Sequence, residues 1–246
     1  MANGTNHTLQ SHLLAVKSGD RVFENAFEGI SRMILGDEIE KVVVNGKTTY
    51  DFRIFRRGKK HIVGLYDEIN SFVSYVKDAA EGGSSKEMAY VLVGEPGNGK
   101  TFFVEYVSKL YREFIARDGN RKYTFRFTGL DALGTYGKIA TAESQTYEDP
   151  MILAMNALET PDASREWLQR KVGFTDEQLD ALWENYRPLG ACSGYIWNDL
   201  RVHCDGKLDQ MLQHVEIVPV PLSESLGTLT GKYPAKDKIT SSAVDL

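Results

Sequence analysis

A glycine-rich stretch at residues 94–101, here called the phosphate loop, reads Gly-Glu-Pro-Gly-Asn-Gly-Lys-Thr and satisfies the pattern G-x-x-x-x-G-K-[ST]. Its glycines allow the backbone to wrap closely, so that consecutive N–H groups point at phosphate oxygens. Lys100 can reach the β- and γ-phosphates of a nucleotide, and the hydroxyl of Thr101 can bind Mg²⁺. The predicted nucleotide-binding residues are Gly94, Glu95, Pro96, Gly97, Asn98, Gly99, Lys100 and Thr101, with Thr101 also the metal ligand.

The segments on either side of the phosphate loop support this interpretation. Residues 88–93 form a short apolar run, which predicts a strand buried on both faces of a parallel sheet. Residues 100–116 have apolar side chains at helical spacing, and a helix beginning here would point its positive end at the phosphates. Residues 123–128 alternate between apolar and polar side chains and predict a second strand. Strand, helix and strand together predict a βαβ unit with a right-handed crossover.

The region before the phosphate loop contains three further predicted elements. Residues 1–20 are polar with little pattern and are expected to form a loose arm. Helical spacing predicts helices over 21–35 and 65–80. Lys41 to Tyr50 predicts a β-hairpin, because Asn45-Gly46 is the strongest short turn signal.

Two elements are predicted after the βαβ unit. Thr175 and Gln178 form a capping box, with Phe174 and Leu179 able to pack as its hydrophobic staple, so a helix is expected from here to about Tyr186. Residues 214–220 predict a strand whose prolines place its end at a sheet edge or outside the sheet.

The composition of the chain argues against two functional classes, nucleic-acid-binding proteins and membrane proteins. The net charge of −5 and the pI of about 5.6 do not indicate a nucleic-acid partner. The densest basic run, Arg53 to Lys60, is expected to be solvated surface, because a phosphate-tracking stripe would recur elsewhere. No apolar run is long enough to span a membrane, and no signal peptide is evident, so we expect a cytoplasmic protein without a membrane partner.

The two cysteines, Cys192 and Cys204, lack the spacing of a metal site or a disulfide framework. Both are expected to be free thiols in a reducing compartment.

A second acidic motif that would hold Mg²⁺ and the attacking water is not evident. Phosphate-loop enzymes of this class place such a carboxylate after an apolar strand. Val215 to Pro219 does not end in an acid, and Asp67-Glu68 and Asp176-Glu177 lie in helical contexts. The H-R-D and D-F-G motifs of protein kinases are also absent. The catalytic residues are therefore unknown.

Four stretches together resemble the PrkA family of bacterial serine protein kinases, over most of the chain from about Ile30 onward. They are "FRIFRRGKKHIVGLYDEINSFVSYVKDAAEGG", the phosphate loop, "GLDALGTYGKIATAESQTYEDPMILAMN" and "TGKYPAKDKITSSAVDL". The long stretches are more specific than the phosphate loop, which thousands of proteins share. Many family members read G-P-x-G-x-G-K-S, whereas this chain has Glu95-Pro96 and Thr101, and both changes keep the chemistry.

The resemblance implies an α/β fold of the AAA-type P-loop NTPase class, a three-layer sheet with flanking helices, incomplete at the C-terminus. Its implied organisation is a loose arm over 1–20, a helix and hairpin region over 21–60, and a partial ATP-binding domain over 61–246. In AAA-type ATPases a similar segment lies over the adenine, so Ile62, Val63 and Gly64 are expected to contact the nucleotide there; ordinary core packing at a helix start is the alternative.

The activity implied for a longer parent protein is phosphoryl transfer from ATP, with Mg²⁺, to serine or threonine of a protein substrate. A C-terminal kinase-like domain and the second acidic motif are expected beyond Leu246, so residues 1–246 are expected to bind ATP without turnover. An AAA-type ATPase acting as an unfoldase or an ATP-dependent protease is the alternative, and a nucleotide-sensing module a weaker third. The protein substrate and any homo-oligomer are left open.

Overall fold

The computed structural model describes residues 8–223, which form a mixed α/β structure with two small antiparallel sheets. The α-helices of this part of the chain are α1 (Leu9–Ser18), α2 (Ala26–Leu35), α3 (Tyr66–Ala80), α4 (Lys100–Ile115), α5 (Pro150–Met155), α6 (Pro161–Val172), α7 (Asp176–Trp183), α8 (Ala191–His203) and α9 (Leu208–Met211). Its strands are β1 (Ile39–Val44), β2 (Lys47–Phe52), β3 (Tyr123–Thr128), β4 (Thr141–Glu143) and β5 (Val215–Pro219).

The predicted hairpin is confirmed as the sheet formed by β1 and β2. Asn45 and Gly46 have φ angles of 51° and 76°, which is the pair of positive values that a type I′ turn requires. Ile39 lies opposite Phe52 and Val44 opposite Lys47, so the pairing extends two residues beyond the predicted bounds at each end.

The second sheet has the order β4-β3-β5, and both pairs are antiparallel. Strand β3 has its predicted bounds and buries Phe125 and Phe127 completely. Strand β5 lies at the edge of the sheet, where Pro219 can be tolerated because its missing N–H is not needed by a further neighbour.

The predicted strand over residues 88–93 is wrong, and so is the βαβ unit with its right-handed crossover. The segment is extended and packs Tyr90 against Phe72 of α3, with ring centroids 5.4 Å apart. Within residues 8–223 no backbone hydrogen bond is formed by residues 89–93, and Val91 and Val93 are 71% and 89% exposed. A strand needs a neighbour, and both edges of β3 are already occupied by β4 and β5. The α/β class is confirmed, whereas the three-layer sheet stays a prediction.

The expected loose arm over residues 1–20 is wrong for the part of it that the structure describes beyond Thr8. Thr8 caps α1 by accepting a hydrogen bond from the Ser11 amide through its side chain. Leu9 and Leu13, one helical turn apart, are 3% and 0% exposed, because they pack into the core around β3. The sequence contained this spacing, but the polar residues around it obscured the pattern.

The predicted helices agree with the structure except in their bounds. Helix α2 starts at Ala26 rather than at residue 21, because Asn25 and Glu28 form a capping box. Helices α3 and α4 lie within one residue of their predicted bounds. Helix α7 has the predicted capping box of Thr175 and Gln178, but it ends at Trp183.

Two hydrophobic cores result. The α4 core packs α2, α3, α4 and the segment between Phe52 and Ile62, and its members include Ile34, Phe55, Ile69 and Ile115. The β3 core packs α1, α5, α6 and α8 against the sheet, and its members include Leu13, Phe127, Ile152 and Trp197. The phosphate loop immediately precedes α4 and is therefore positioned by the α4 core.

Candidate functional site

The phosphate loop has a backbone that depends on its glycines. Gly97 and Gly99 have φ angles of 88° and 74°, in the left-handed region that L side chains rarely adopt. Gly99 is the N-cap of α4, and the Phe103 amide donates the first helical hydrogen bond to its carbonyl at 2.8 Å. The amides of Lys100, Thr101 and Phe102 precede that bond and have no intrahelical acceptor, so they are available to an anion.

Lys100 folds back over the loop that precedes it. Its Nζ donates to the carbonyl oxygens of Gly94 and Glu95, at 2.6 and 2.7 Å. A Cβ built on Gly94 would lie 3.8 Å from this Nζ. In the described part of the chain these carbonyls are the hydrogen-bond partners of Lys100, and no carboxylate pairs with it. Its charge is therefore not neutralised within the loop and can be offered to a phosphate.

The loop is open to solvent over its whole length. Residues 93–99 and Thr101 are exposed, and Lys100 is partly buried. An exposed loop of backbone amides with one cation and one hydroxyl fits a triphosphate carrying Mg²⁺, because phosphate oxygens and waters supply most of the metal ligands. The described residues contain no group of three or more His, Cys, Asp or Glu that could hold a metal ion without such a ligand.

Helix α4 is anchored against the chain that follows the hairpin. The ring of Phe103 stacks on Phe55 with centroids 6.2 Å apart, and it meets Phe72 edge-to-face at 5.1 Å. The Tyr106 hydroxyl donates to the carbonyl oxygens of Ile54 and Arg57, at 3.3 and 2.7 Å. Burial raises the pKa of Tyr106, so it remains a neutral donor. These contacts fix the first two turns of α4 and hence the end of the phosphate loop.

The three residues predicted to lie over an adenine begin in this same core. Ile62 is 3% exposed and belongs to the α4 core together with Phe103. Val63 is 78% exposed and Gly64 has a φ angle of 67°. Ile62 is therefore a packing residue, as the simpler interpretation had it, whereas Val63 presents its side chain to solvent.

Arg56 is a residue of this region whose role the sequence did not indicate. The basic run was expected to be solvated, and Lys59 and Lys60 are exposed as expected. The Arg56 side chain is only 14% exposed, and its Nε donates to Asp51 Oδ1 at 2.8 Å. Its Nη1 donates to the carbonyl oxygens of Ile62 and Gly64, at 2.6 and 3.0 Å. Arg53 and Arg57 of the same run also have carboxylate partners. Arg56 differs from them in its burial, in its contact with the Tyr66 ring and in its hydrogen bonds to two backbone carbonyls.

The acidic candidates outside the loop are engaged elsewhere. Glu216 on β5 accepts a hydrogen bond from Arg126 Nε at 2.8 Å on the neighbouring strand. Asp67 lies in the first turn of α3 and pairs with Lys47 at 3.6 Å. Glu224, a further carboxylate after the predicted strand at residues 214–220, lies outside the described residues. Both cysteines are free thiols, Cys192 exposed and Cys204 buried.

No helix among residues 8–223 has the length and apolar character needed to cross a bilayer. Comparisons with family models, curated proteins and solved structures give no match for this chain.

Proposed function

We propose that this chain binds ATP with Mg²⁺ through the phosphate loop, as the nucleotide-binding part of a serine protein kinase of the PrkA type. The observation that supports it best is the position of Lys100 at the first residue of α4, folded over the loop carbonyls and without a carboxylate partner in the described chain. The backbone amides of the loop and of the first turn of α4 would bind the phosphates. Thr101 would bind Mg²⁺, which neutralises phosphate charge.

The resemblance in sequence supports the finer parts of this proposal. The AAA-type three-layer arrangement would require further strands beside residues 88–93, which are extended, apolar and unpaired within residues 8–223. Phosphoryl transfer would also require an acidic residue after a strand, and Glu216 is already paired with Arg126. We therefore expect this chain alone to bind ATP without turning it over.

The test is the effect of Lys100→Ala on ATP affinity, measured by calorimetry. The variant loses charge-assisted hydrogen bonds to the phosphates, which corresponds to about 3 kcal/mol, or roughly a 100-fold rise in the Kd for ATP. Lys109→Ala is the matched control, because Lys109 lies on the same helix, is 66% exposed and pairs with Glu113 at 3.7 Å. Equal affinity of the Lys100 variant and the parent chain would refute the proposal.

A mechanochemical ATPase of the AAA type remains the second candidate function, because the phosphate loop is common to both classes. Labelled ATP separates the two when it is supplied together with a protein acceptor. Label transferred to serine or threonine of a protein acceptor favours the kinase. Phosphate release without phosphoprotein, together with protein unfolding or cleavage, favours the ATPase.

A further inference from the structure

A cavity lies between α2, the segment that follows β2 and the second half of α4, and its volume is about 240 Å³. An enclosed apolar cavity of about 150 Å³ can hold a benzene ring. Pockets for drug-sized ligands have volumes of about 300–1,000 Å³. The cavity is therefore large enough for a small ligand that consists of one ring or short chain and one polar group.

Part of the cavity lining is apolar. The side chains that belong to the α4 core or pack against it are Met33, Ile54, Leu110 and Phe114. The Arg32 guanidinium lies over the Phe114 ring, 4.8 Å from its centroid, and its charge is paired with Glu24 at 2.8 Å. These surfaces would remove the apolar part of a ligand from water, which favours binding.

The other charged residues of the lining leave one cation unpaired. Arg57 Nη2 donates to Asp37 Oδ1 at 2.6 Å, and Lys109 pairs with Glu113 at 3.7 Å. Arg117, which follows α4, is exposed and has no carboxylate partner among residues 8–223. The cavity thus offers one uncompensated positive charge beside an apolar surface.

We propose that this cavity binds a small monocarboxylate with an apolar ring or chain. The Arg117 guanidinium binds the carboxylate, since its planar fork can donate two parallel hydrogen bonds to the two oxygens. The ring or chain packs against the apolar lining. A single negative charge matches the one unpaired cation, whereas a dianion would bring a second charge without a partner.

This site is separate from the phosphate loop. Helix α4 has 16 residues and is therefore about 24 Å long. Lys100 is its first residue, whereas Arg117 follows its C-terminal end. The proposal therefore does not depend on the proposed ATP site.

Titration calorimetry with benzoate, benzamide and acetate tests the proposal. Benzoate carries both a ring and a carboxylate, benzamide carries the ring without the charge, and acetate carries the carboxylate without the ring. We expect benzoate to bind with a Kd roughly tenfold or more below those of the other two, because each of them lacks one of the two contacts.

Arg117→Gln should raise the Kd for benzoate roughly tenfold, because it removes the charge that binds the carboxylate. Arg170→Gln is the matched control, since Arg170 lies on α6, is 74% exposed and does not line the cavity. Lys100→Ala is the second control, because a carboxylate could instead bind to the phosphate loop. Both controls should keep the parental Kd for benzoate, and thermal unfolding establishes that each variant is folded.

The outcomes are distinct. A rise in the Kd for benzoate that is confined to Arg117→Gln, with weaker binding of benzamide and acetate, supports the proposal. Absence of benzoate binding, an unchanged Kd in Arg117→Gln, or equal affinity for benzamide or acetate overturns it. A rise of the same size in Lys100→Ala or Arg170→Gln also overturns it, because the carboxylate would then be bound outside the cavity. Failure of the parent chain to bind ATP would refute the proposed function and leave this result unaffected.

Discussion

Lys100 and Thr101 are neighbours in sequence, yet they have different roles in the proposed site: Lys100 binds phosphate and Thr101 binds Mg²⁺. The Lys100 ammonium donates two of its three N–H groups to the carbonyls of Gly94 and Glu95, which leaves the third for a phosphate oxygen. Thr101 is exposed, so its hydroxyl can bind Mg²⁺. The sequence pattern predicted both roles, because the requirement for a cation and a hydroxyl after the last glycine is local.

Thr101→Ala should weaken binding of Mg·ATP by roughly tenfold and leave metal-free ATP nearly unchanged, because the substitution removes only the hydroxyl that contacts the metal. Calorimetry with Mg²⁺ and with a chelator measures the two affinities. Ser108→Ala is the control, since Ser108 lies on the same helix and its hydroxyl donates to the Val104 carbonyl at 2.8 Å. Losses of the same size with and without Mg²⁺ would show that Thr101 is not a metal ligand.

At the scale of elements, local signals in the sequence were sufficient to predict an element whose turn or cap is formed by residues close together in the chain. The hairpin is fixed by Asn45-Gly46, and α7 by its capping box, so both could be predicted without knowledge of their partners. Whether residues 88–93 form a strand could not be predicted in this way. An apolar run becomes a strand only when another strand offers its edge, and the pairing of β3 with β4 and β5 is non-local.

Helix α1 is one of the elements that were not predicted from the sequence, and its packing can be measured. Leu13 is fully buried in the β3 core, so Leu13→Ala should lower the free energy of unfolding by about 2–5 kcal/mol through lost burial and a residual cavity. Leu14→Ala on the same helix is the control, because Leu14 is 48% exposed and should cost no more than about 0.5 kcal/mol. Urea denaturation of both variants measures the difference. Equal costs would mean that α1 does not pack on the sheet.

At the scale of the whole molecule, one link between the two cores is a cluster of charges around the buried carboxylate of Glu24. Glu24 Oε1 accepts from Arg32 Nη2 and from Lys122 Nζ, both at 2.8 Å, and its Oε2 accepts from Arg32 Nε at 2.9 Å. Arg32 lies on α2, which packs in the α4 core, and Lys122 immediately precedes β3. The Arg32 guanidinium also donates to Asn120 Oδ1 at 2.6 Å.

This carboxylate, which is only 6% exposed, therefore links α2 of the α4 core to the residue just before β3. Its surroundings leave little room for adjustment, because the buried Tyr111, whose pKa burial raises to about 12, lies against Gly29 of α2. A side chain at Gly29 would collide with the Tyr111 hydroxyl. Removing the anion of this cluster leaves Arg32 and Lys122 without the carboxylate that they share.

Glu24→Gln should lower the free energy of unfolding at pH 7 by about 3 kcal/mol, the usual cost of deleting one partner of a buried ion pair. Burial raises the pKa of Glu24, but the hydrogen bonds and charges of Arg32 and Lys122 outweigh it, so the pKa lies below its ordinary value of 4.5. A lowered pKa means that this stabilisation is complete above pH 4.5 and is lost as the pH falls through the folded-state pKa. The free energies of unfolding of the parent chain and of the variant should therefore become more alike as the pH falls.

Glu40→Gln, at an exposed pair with Arg53, should lower the free energy of unfolding by less than about 1 kcal/mol and serves as the control. Urea denaturation between pH 7 and pH 3 provides the measurement, and a difference between parent and variant that stayed constant over this range would show that Glu24 is not the anion that joins the two cores.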